Sequence, residues 1–521
     1  MKQWILQTKR ADFAGLAARL GVDPVLVRLM RNRDLLDYAS MYMWLNGDIT
    51  FLHDPHLLKD ADKAAERILY HINKKSKIMV ANDFDCDGIS GGFILENCLR
   101  ELGADVYVDT PDRIADGYGI NERMVLDAAE NGVNLIITCD NGIAAMAAAE
   151  ACKACHIELI ITDHHEVPFV MEGDVKRYIL PPAFAVVDPK QEDCPYPFKG
   201  ICGAVVAFKL MQIVFEMAGK AGRKGSLGPM AAYLEIAAMA TVADVMELKD
   251  ENRVIVKQGL LKMRDTDNLG LRSLMEANSV DPSKLNAYTI GFVIGPCLNA
   301  SGRLSSAKKA LALLNEKDPA MAKDMAMELK NLNDARKDMT VKGVEKAKEI
   351  VEAGMLSDKV LVVKLDDCHE SLAGIIAGKV REAYNRPTIV FVDTGEGLKG
   401  SGRSIKAYDM YTKVNEHKDM TSRFGGHAMA CGLSMDYDKL DAFRAALNRD
   451  CGLTEKDLIE RVDIDMRLPL GYLSEGLIKN LELLAPYGNG NPHPMFAESG
   501  LAVRQARIIG KNRNVLKLRV A

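Results

Sequence analysis

The chain has 521 residues, which is too long for one ordinary core, so about three domains are expected. Hydrophobic residues make up 48% and charged residues 27%, as in soluble globular proteins, and neither a membrane-spanning stretch nor a secretory signal is evident. The net charge of −5 alone gives no reason to expect nucleic acid, and eleven scattered cysteines favour a reducing, cytoplasmic setting over a disulfide framework.

The first 65 residues predict an N-terminal segment of short helices, and an alternation of strands and helices follows it. Five apolar, largely β-branched runs predict buried parallel strands: Lys77–Ala81, Asp105–Asp109, Leu135–Cys139, Glu158–Thr162 and Ala183–Val187. Helices are predicted between them at Ile89–Leu102, Glu122–Glu130 and Ile143–Cys155. The pattern indicates an α/β domain over residues 66–260 with a doubly wound parallel sheet.

Three further segments follow this domain. The composition of residues 261–350 predicts a helical connector. The later part of this segment is rich in charged residues, alanine and leucine. Residues 351–455 predict a second, smaller α/β domain, which contains the strand run that begins at Lys359 and the helix Ser371–Tyr384. Residues 456–521 end in short β segments that predict part of a small barrel, and we expect this barrel to be incomplete.

Carboxylates cluster directly after three of the predicted strands. They belong to Asp83-Phe-Asp85-Cys-Asp87-Gly, Asp140-Asn-Gly and Asp163-His164-His165, and Asp244 adds a fourth position near the end of an apolar helix. Because the carboxyl ends of parallel strands meet at one edge of a sheet, these side chains are expected to converge. Crowded carboxylates repel one another unless cations separate them, and oxygen ligands with one or two imidazoles suit Mn²⁺ or Mg²⁺. The sequence therefore predicts a metal-dependent active site.

Other interpretations of the single motifs are weaker than this combined one. The first cluster has the beginning of an EF-hand loop, but a strand precedes it and the glutamate that closes such a loop is missing. Asp140-Asn-Gly taken alone would be an ordinary turn. The pair of histidines after Asp163 has little structural use, and this favours the metal site.

Arginines stand beside flexible, glycine-rich backbone at four places. They are Pro111–Gly119 with Arg113, Asn299–Leu304 with Arg303, Gly400–Ser404 with Ser401 and Arg403, and Arg423–Gly432 with His427. Small residues let backbone amides approach an anion, and arginine or histidine supplies charged donors, so the pattern suits phosphate. Each segment by itself could also be a tight turn.

With these motifs the chain resembles the DHH phosphoesterase superfamily, and within it the branch that degrades single-stranded DNA from the 5′ end. The resemblance is carried by the four carboxylate motifs and by Gly425-Gly-His427, which is typical of a DHHA1 domain. Three stretches are more discriminating: Leu52-His-Asp-Pro-His-Leu-Leu-Lys-Asp60, Pro111-Asp-Arg-x-x-Asp-Gly-Tyr-Gly119 and Pro486-Tyr-Gly-Asn-Gly-Asn-Pro492. The resemblance covers nearly the whole chain.

The resemblance implies a set of roles. Asp85, Asp87, Asp140, His164 and Asp244 would hold two Mn²⁺ or Mg²⁺ ions. Asp83 and His165 would be catalytic residues beside them, with His165 either supporting a ligand or acting as an acid or base. The DNA end and its 5′-phosphate would be bound by Arg113, Arg303, Ser401, Arg403 and His427. Residues 456–521 would be an incomplete OB-fold domain, and Ala81 replaces a histidine that is common in relatives.

The implied function is a 5′→3′ exonuclease that converts single-stranded DNA to 5′-mononucleotides in DNA recombination and repair. Its expected partners are single-stranded DNA, a RecQ-type helicase and a single-strand-binding protein, with no membrane. A nano-RNase or cyclic-dinucleotide phosphodiesterase with the same core is one alternative, although short substrates need neither the N-terminal segment nor the barrel. A non-catalytic DNA-binding scaffold is another, although a scaffold has no need of so many carboxylates.

Overall fold

The computed structural model describes residues 2–113, 115–173, 175–220, 227–510 and 513–521. Contacts divide these residues into two compact units. The larger unit contains residues 48–459 and 488–490, and the smaller one contains the residues before 48 together with 460–487 and those after 490. In the part of the chain described here, no helix is long and apolar enough to cross a membrane.

The smaller unit begins with one strand and three short helices. They are β1 (Lys2–Leu6), α1 (Phe13–Leu20), α2 (Pro24–Asn32) and α3 (Tyr38–Asn46). The helices begin after Asp12, Asp23 and Asp37, whose carboxylates accept hydrogen bonds from backbone N–H groups of the first turn. The buried side chains of α2 pack with Leu477 and Leu484, so distant segments of the chain share this core.

The parallel sheet predicted for residues 66–260 is confirmed. Its elements are α4 (Ala61–Asn73), β2 (Lys77–Asn82), α5 (Cys86–Glu101), β3 (Asp105–Asp109), α6 (Glu122–Glu130), β4 (Val133–Cys139), α7 (Met146–Ala154), β5 (Glu158–Thr162), β6 (Phe169–Glu172), β7 (Val175–Tyr178) and β8 (Ala185–Val187). Five strands pair in the order β3-β2-β4-β5-β8, and every pairing is parallel. The short strands β6 and β7 form a separate antiparallel hairpin.

Helices continue the larger unit and pack on this sheet. They are α8 (Gly203–Met217), α9 (Leu234–Ala243), α10 (Asp250–Met263), α11 (Leu269–Ala277), α12 (Ala287–Thr289), a π-helical turn (Ile290–Ile294), α13 (Gly295–Leu304), α14 (Lys308–Asn315) and the 36-residue α15 (Pro319–Gly354). One continuous apolar core joins the sheet to α8, α9 and the connector helices. The predicted helical connector is therefore packed against the first domain along much of its length.

A second sheet lies in the later part of the larger unit. Its elements are β9 (Leu361–Leu365), α16 (Ala373–Tyr384), β10 (Thr388–Asp393), β11 (Leu398–Arg403), α17 (Met410–Asn415), β12 (Arg423–His427), β13 (Ala430–Met435) and α18 (Leu440–Asp450). The strand order is β12-β13-β11-β10-β9, with only β9 and β10 parallel. This is the smaller α/β domain that the sequence predicts.

The last described elements are short strands and one helix of the smaller unit. They are β14 (Glu460–Ile464), β15 (Met466–Arg467), α19 (Glu475–Glu482), β16 (Phe496–Ala497), β17 (Val503–Ile509) and β18 (Val515–Val520). Strand β14 pairs in parallel with β1, while β17 and β18 form an antiparallel hairpin. The predicted β segments are present, and the N-terminal segment contributes a strand as well as helices.

Candidate metal centre and phosphate cavity

The metal-ligand candidates meet where three neighbouring strands end. Asp83 follows β2, Asp140 follows β4 and Asp163 follows β5, and these strands are adjacent in the sheet. Asp244 reaches the same place from the C-terminal end of α9. Carboxylates from three strand ends and one helix end therefore meet at one edge of the sheet.

Three overlapping groups of side chains could each hold a cation. In each group one ligand atom per residue lies within 4.8 Å of the others, and the groups are Asp83–Asp85–Asp140, Asp140–His164–His165 and Asp87–His164–Asp244. Asp140 and His164 each belong to two groups. Shared ligands of this kind place two ion positions next to each other.

The first turn of α5 aims two of these carboxylates. Asp85 stands at the N-cap and accepts hydrogen bonds from the N–H groups of Asp87 and Gly88 at 2.9 and 3.1 Å. Asp87 in turn accepts hydrogen bonds from the N–H groups of Gly203 and Ala204 at 2.7 and 2.8 Å, at the start of α8. Two helix N-termini thus favour negative charge at this position.

Asp140 occupies a strained and closely packed position. Its φ is +63°, in the left-handed region that few non-glycine residues adopt. A Cβ atom added to Gly203 would lie 2.6 Å from the Asp140 Cβ, so α8 can begin here only with glycine. Oδ1 of Asp140 lies 3.0 Å from Nε2 of His164, yet it makes no hydrogen bond to any described residue. Such outliers concentrate at functional sites.

Burial and mutual repulsion raise the pKa of four of the carboxylates. For Asp83 and Asp244 burial is the main cause, with Asp85 and Asp87 respectively as the next, and each pKa is raised to about 8. Burial and the charge of Asp87 also raise the pKa of Asp85 and, well above its usual range, that of Asp140. This cluster therefore favours either protons or cations.

The two adjacent histidines have opposite protonation preferences. Burial lowers the pKa of His164, so its imidazole is neutral and free to act as a ligand. Burial also lowers the pKa of His165, but Asp163 outweighs it and raises the pKa to about 9. The Nδ1 atom of His165 lies 2.8 Å from Oδ1 of Asp163 and 3.2 Å from the hydroxyl of Tyr118. The contact with Asp163 therefore favours the protonated form of His165 in the metal-free protein.

The turn after Asp244 is fixed by a distant part of the chain. Val245 has a φ of +58°, which is unusual for a β-branched residue. The side-chain amide of Asn489 donates to the Val245 carbonyl at 2.7 Å, and the Asn489 carbonyl accepts from the N–H of Leu248 at 2.8 Å. Asn489 thus holds both ends of the turn that carries Asp244, and Gly488–Gly490 belongs to the larger unit.

A cavity of about 150 Å³ lies next to the carboxylates and carries excess positive charge. Its lining consists of Arg113, Arg303, Glu370, Ser371, Gly374, Ile375, Lys399, Ser401 and Arg403. Arg303 donates to the Ser371 carbonyl at 2.7 Å, and a Cβ atom on Gly374 would lie 2.8 Å from a guanidinium nitrogen of Arg403. The cavity suits an anion such as phosphate, because three arginines, one lysine and the start of α16 surround a single acidic residue.

The guanidinium groups of the three arginines are largely buried. Burial lowers the pKa of Arg113 and Arg403, and burial with the charge of Arg113 lowers that of Arg303 to about 9. The guanidinium of Arg113 lies 4.5 Å from the ring centre of Phe84, the residue between Asp83 and Asp85. Arg113 therefore connects the cavity with the carboxylate cluster.

Most of the predicted site residues lie together, and a few residues of the site were not predicted from the sequence. Four of the five predicted phosphate-binding residues line the cavity, whereas the exposed His427 on β12 is not in its lining. The sequence did not point to Tyr118 as a partner of His165, although Tyr118 lies in a motif that it singled out. It also did not point to Ser371 or Lys399, since neither stands in a recognisable motif. Position 81 is a buried alanine, so Asp83, Asp85 and Asp140 form a group of carboxylates alone.

The donor set fits hard divalent cations. It consists of carboxylate oxygens and imidazole nitrogens, and none of the three groups contains a cysteine. Carboxylate oxygens with one or two imidazoles suit Mn²⁺ or Mg²⁺. A buried oxygen of Asp140 that accepts no hydrogen bond from the described residues supports the same interpretation.

Comparisons with known proteins agree with this geometry. Family models match in three places, as the DHH family, N-terminal domain at residues 77–241, the DHHA1 domain at 357–452 and the RecJ OB domain at 464–521. The fold and the site thus define a DHH phosphoesterase with a DHHA1 domain. The single-stranded-DNA-specific exonuclease RecJ of Dickeya dadantii is 31% identical over 97% of this chain and 88% of its own length. The chain belongs to the RecJ family, and the predicted resemblance is confirmed.

Two further relatives define the extent of the likeness. The Bacillus subtilis RecJ exonuclease is 34% identical over 99% of this chain, which spans 64% of that relative's length. The crystal structure of Thermus thermophilus RecJ in complex with Mn²⁺ superposes with a TM-score of 0.83 at 29% identity. The match covers 99% of this chain and 72% of that one, and it confirms the predicted fold class.

Proposed function

We propose that this protein is a metal-dependent exonuclease that removes 5′-mononucleotides from single-stranded DNA in the 5′→3′ direction, in recombination and repair. One observation carries the proposal: the arginine-lined cavity lies beside the carboxylate cluster, because Arg113 lines the cavity, lies over the ring of Phe84 and is influenced by the charges of Asp83 and Asp85. A terminal phosphate in the cavity would place the next phosphodiester at the carboxylates. Cleavage there would release a single nucleotide.

The residues divide into ligands and proton carriers. Asp85, Asp87, Asp140, His164 and Asp244, with Asp83 beside them, would hold two Mn²⁺ or Mg²⁺ ions. When bound, such ions lower the pKa of a water molecule and offset charge on the phosphate. Thermus thermophilus RecJ, which was crystallised with Mn²⁺ and with Mg²⁺, supports this choice of ions.

His165 and Tyr118 would control protons around the scissile phosphate. The contact with Asp163 favours the protonated form of His165, which would donate to a phosphate oxygen or to the leaving oxygen. Burial raises the pKa of Tyr118 far above its usual range, so its hydroxyl stays neutral and donates to the Asp140 carbonyl at 2.7 Å. Tyr118 would thereby hold both Asp140 and His165 in place.

The function is tested by digestion of an end-labelled oligonucleotide with Mn²⁺. We expect mononucleotides from a single strand with a free 5′ end, and no product from a strand blocked at that end or from a blunt duplex. Cleavage confined to di- and trinucleotides would instead indicate a short-substrate phosphodiesterase. A RecQ-type helicase and a single-strand-binding protein are the proposed partners, because they generate and cover such strands.

Arg403→Ala is expected to weaken the preference of the enzyme for strands that carry a 5′-phosphate. Loss of one charge-assisted hydrogen bond to phosphate should lower kcat/KM on 5′-phosphorylated strands about 30-fold, or roughly 2 kcal/mol, with little change on 5′-hydroxyl strands. The control is Arg449→Ala, which removes an exposed arginine of the same domain that pairs with Asp450. An equal loss on both substrates would remove the proposed role of Arg403.

A further inference from the structure

Helix α13 runs along one side of the metal centre. At its first residue, a Cβ atom on Gly295 would lie 3.2 Å from the Cβ of Ala243, the residue before Asp244. In its middle, the side-chain oxygen of Asn299 accepts a hydrogen bond from the N–H of Cys86 at 2.7 Å. Near its end, Arg303 lines the phosphate cavity. The helix therefore connects the Asp244 side of the site with the cavity.

Two stacked aromatic side chains stand at the other end of this helix from the cavity. Tyr288 belongs to α12 and Phe292 to the π-helical turn, and their ring centres are 4.6 Å apart with an angle of 21° between the planes. The two residues are 66% and 64% exposed. π-Helical turns occur often at functional sites, and two large exposed rings in contact are costly to leave in water.

The position of this pair matches the path of a strand held in the site. Phe292 precedes Arg303 by eleven residues, which corresponds to roughly 16 Å along the helix. A strand with its 5′-phosphate at Arg303 and its first phosphodiester at the carboxylates would continue towards Asp244. At about 3.4 Å per stacked nucleotide and up to twice that when extended, it would reach Phe292 roughly two to five nucleotides from the 5′ end.

We propose that Tyr288 and Phe292 form a stacking platform for nucleobases on the 3′ side of the scissile bond. Flat aromatic faces bind bases of any sequence, as an exonuclease that removes every nucleotide requires. The inference rests on the proposed function, because it takes the 5′ end of the strand to lie in the arginine cavity. It adds a binding site for the strand that remains after each cleavage.

The test compares two 5′-phosphorylated oligonucleotides, a dinucleotide and a dodecamer. The dodecamer is longer than the path from the cavity to Phe292 estimated above. Binding is followed by fluorescence anisotropy in the presence of a chelator, so that no cleavage occurs. The double variant Tyr288→Ala/Phe292→Ala is expected to bind the long strand about tenfold more weakly than the unaltered protein, and the dinucleotide equally well. Phe292→Leu, which keeps an apolar side chain without a π-face, should lose part of the affinity in the same way.

Two controls separate stacking from other causes. Tyr70→Ala removes another exposed aromatic ring of the larger unit, on α4, and should leave the affinity unchanged. Abasic sites at the third to fifth positions, roughly where the estimated path meets the platform, should weaken binding by the unaltered protein but not by the double variant.

The outcomes distinguish the platform from the nuclease itself. Equal binding of the long strand by the variant and the unaltered protein would overturn the platform and leave the proposed function intact. An equal loss on the dinucleotide would assign the pair a structural role and would also overturn the platform. An unaltered protein that neither binds nor degrades single strands would overturn both proposals.

Discussion

Asp140→Asn is expected to abolish turnover and, at the same time, to stabilise the protein in the absence of metal. Asp140 belongs to two of the three ligand groups, so its loss should weaken ion binding and lower kcat by at least about 10³-fold. Asparagine has nearly the same shape and tolerates the left-handed backbone at this position. The substitution therefore changes charge with little change in packing.

The stabilising effect follows from the surroundings of the same carboxylate. Burial and the charges of Asp87 and Asp85 raise the pKa of Asp140 well above its usual range, so its charged form is disfavoured without a cation. A neutral amide removes this repulsion, and we expect a gain on the order of 1–3 kcal/mol in unfolding free energy at pH 8 with a chelator present. Added Mn²⁺ should stabilise the original protein and have a much smaller effect on the variant.

Urea unfolding with and without Mn²⁺, together with single-turnover digestion, measures both effects. Asp127→Asn is the matched control, because it removes an exposed carboxylate of the same domain that pairs with Arg123. Retained turnover would contradict the assignment of Asp140 as a ligand. A loss of metal-free stability would show that the carboxylate is needed for the fold itself.

The sequence predicted the first domain well because its signals are local. The buried parallel strands are apolar along their whole length, and the observed β3 and β5 have the predicted bounds. Once the strands are placed, parallel pairing alone brings Asp83, Asp140 and Asp163 to one edge. That part of the site follows from strand patterning and the geometry of parallel sheets.

Other features depend on contacts between distant segments, and no local pattern encodes them. The pairing of β1 with β14 joins Lys2 to Glu460, and an isolated exposed strand has no periodicity that would identify its partner. Asn489 holds the turn after Asp244 through backbone contacts, which leave no trace in residue type beyond the surrounding glycines. Ser371 and Lys399 enter the cavity only because two separate segments fold towards it.

The second domain shows the limit of motif-based prediction. Arg403 and Ser401 were expected in a phosphate site, and alternation along β11 does bring both into the cavity lining. His427 was expected in the same cleft, yet it lies exposed near the end of the edge strand β12. Its role in binding DNA stays a prediction, since glycine-rich sequence fixes the presence of a turn but not the direction of the side chain.

Metal-free protein is expected to lose stability as the pH rises from 6.5 to 8.5. The pKa values of Asp83 and Asp244 are raised to about 8, so the folded state retains protons that the unfolded state has already released. The contribution of Asp83 and Asp244 to the unfolding free energy is full below their unfolded-state pKa near 4, and it is lost as the pH rises through about 8. The pKa of His165 is raised to about 9, so this group also makes the metal-free protein less stable as the pH rises over this range.

Divalent ions should reverse this dependence, because Mn²⁺ competes with protons for the same oxygens and binds more tightly as the pH rises. Urea unfolding at pH 6.5, 7.5 and 8.5 measures the unfolding free energy with chelator and with Mn²⁺. Plotted against pH, the two sets of values should have opposite slopes. Each unit of pKa shift corresponds to about 1.4 kcal/mol, so even part of the shift is measurable. Asp83→Asn/Asp244→Asn should flatten the metal-free curve. A metal-free protein whose stability rises over this range would mean that the carboxylates are already neutralised by groups of the protein, and the two-ion assignment would then lose its electrostatic basis.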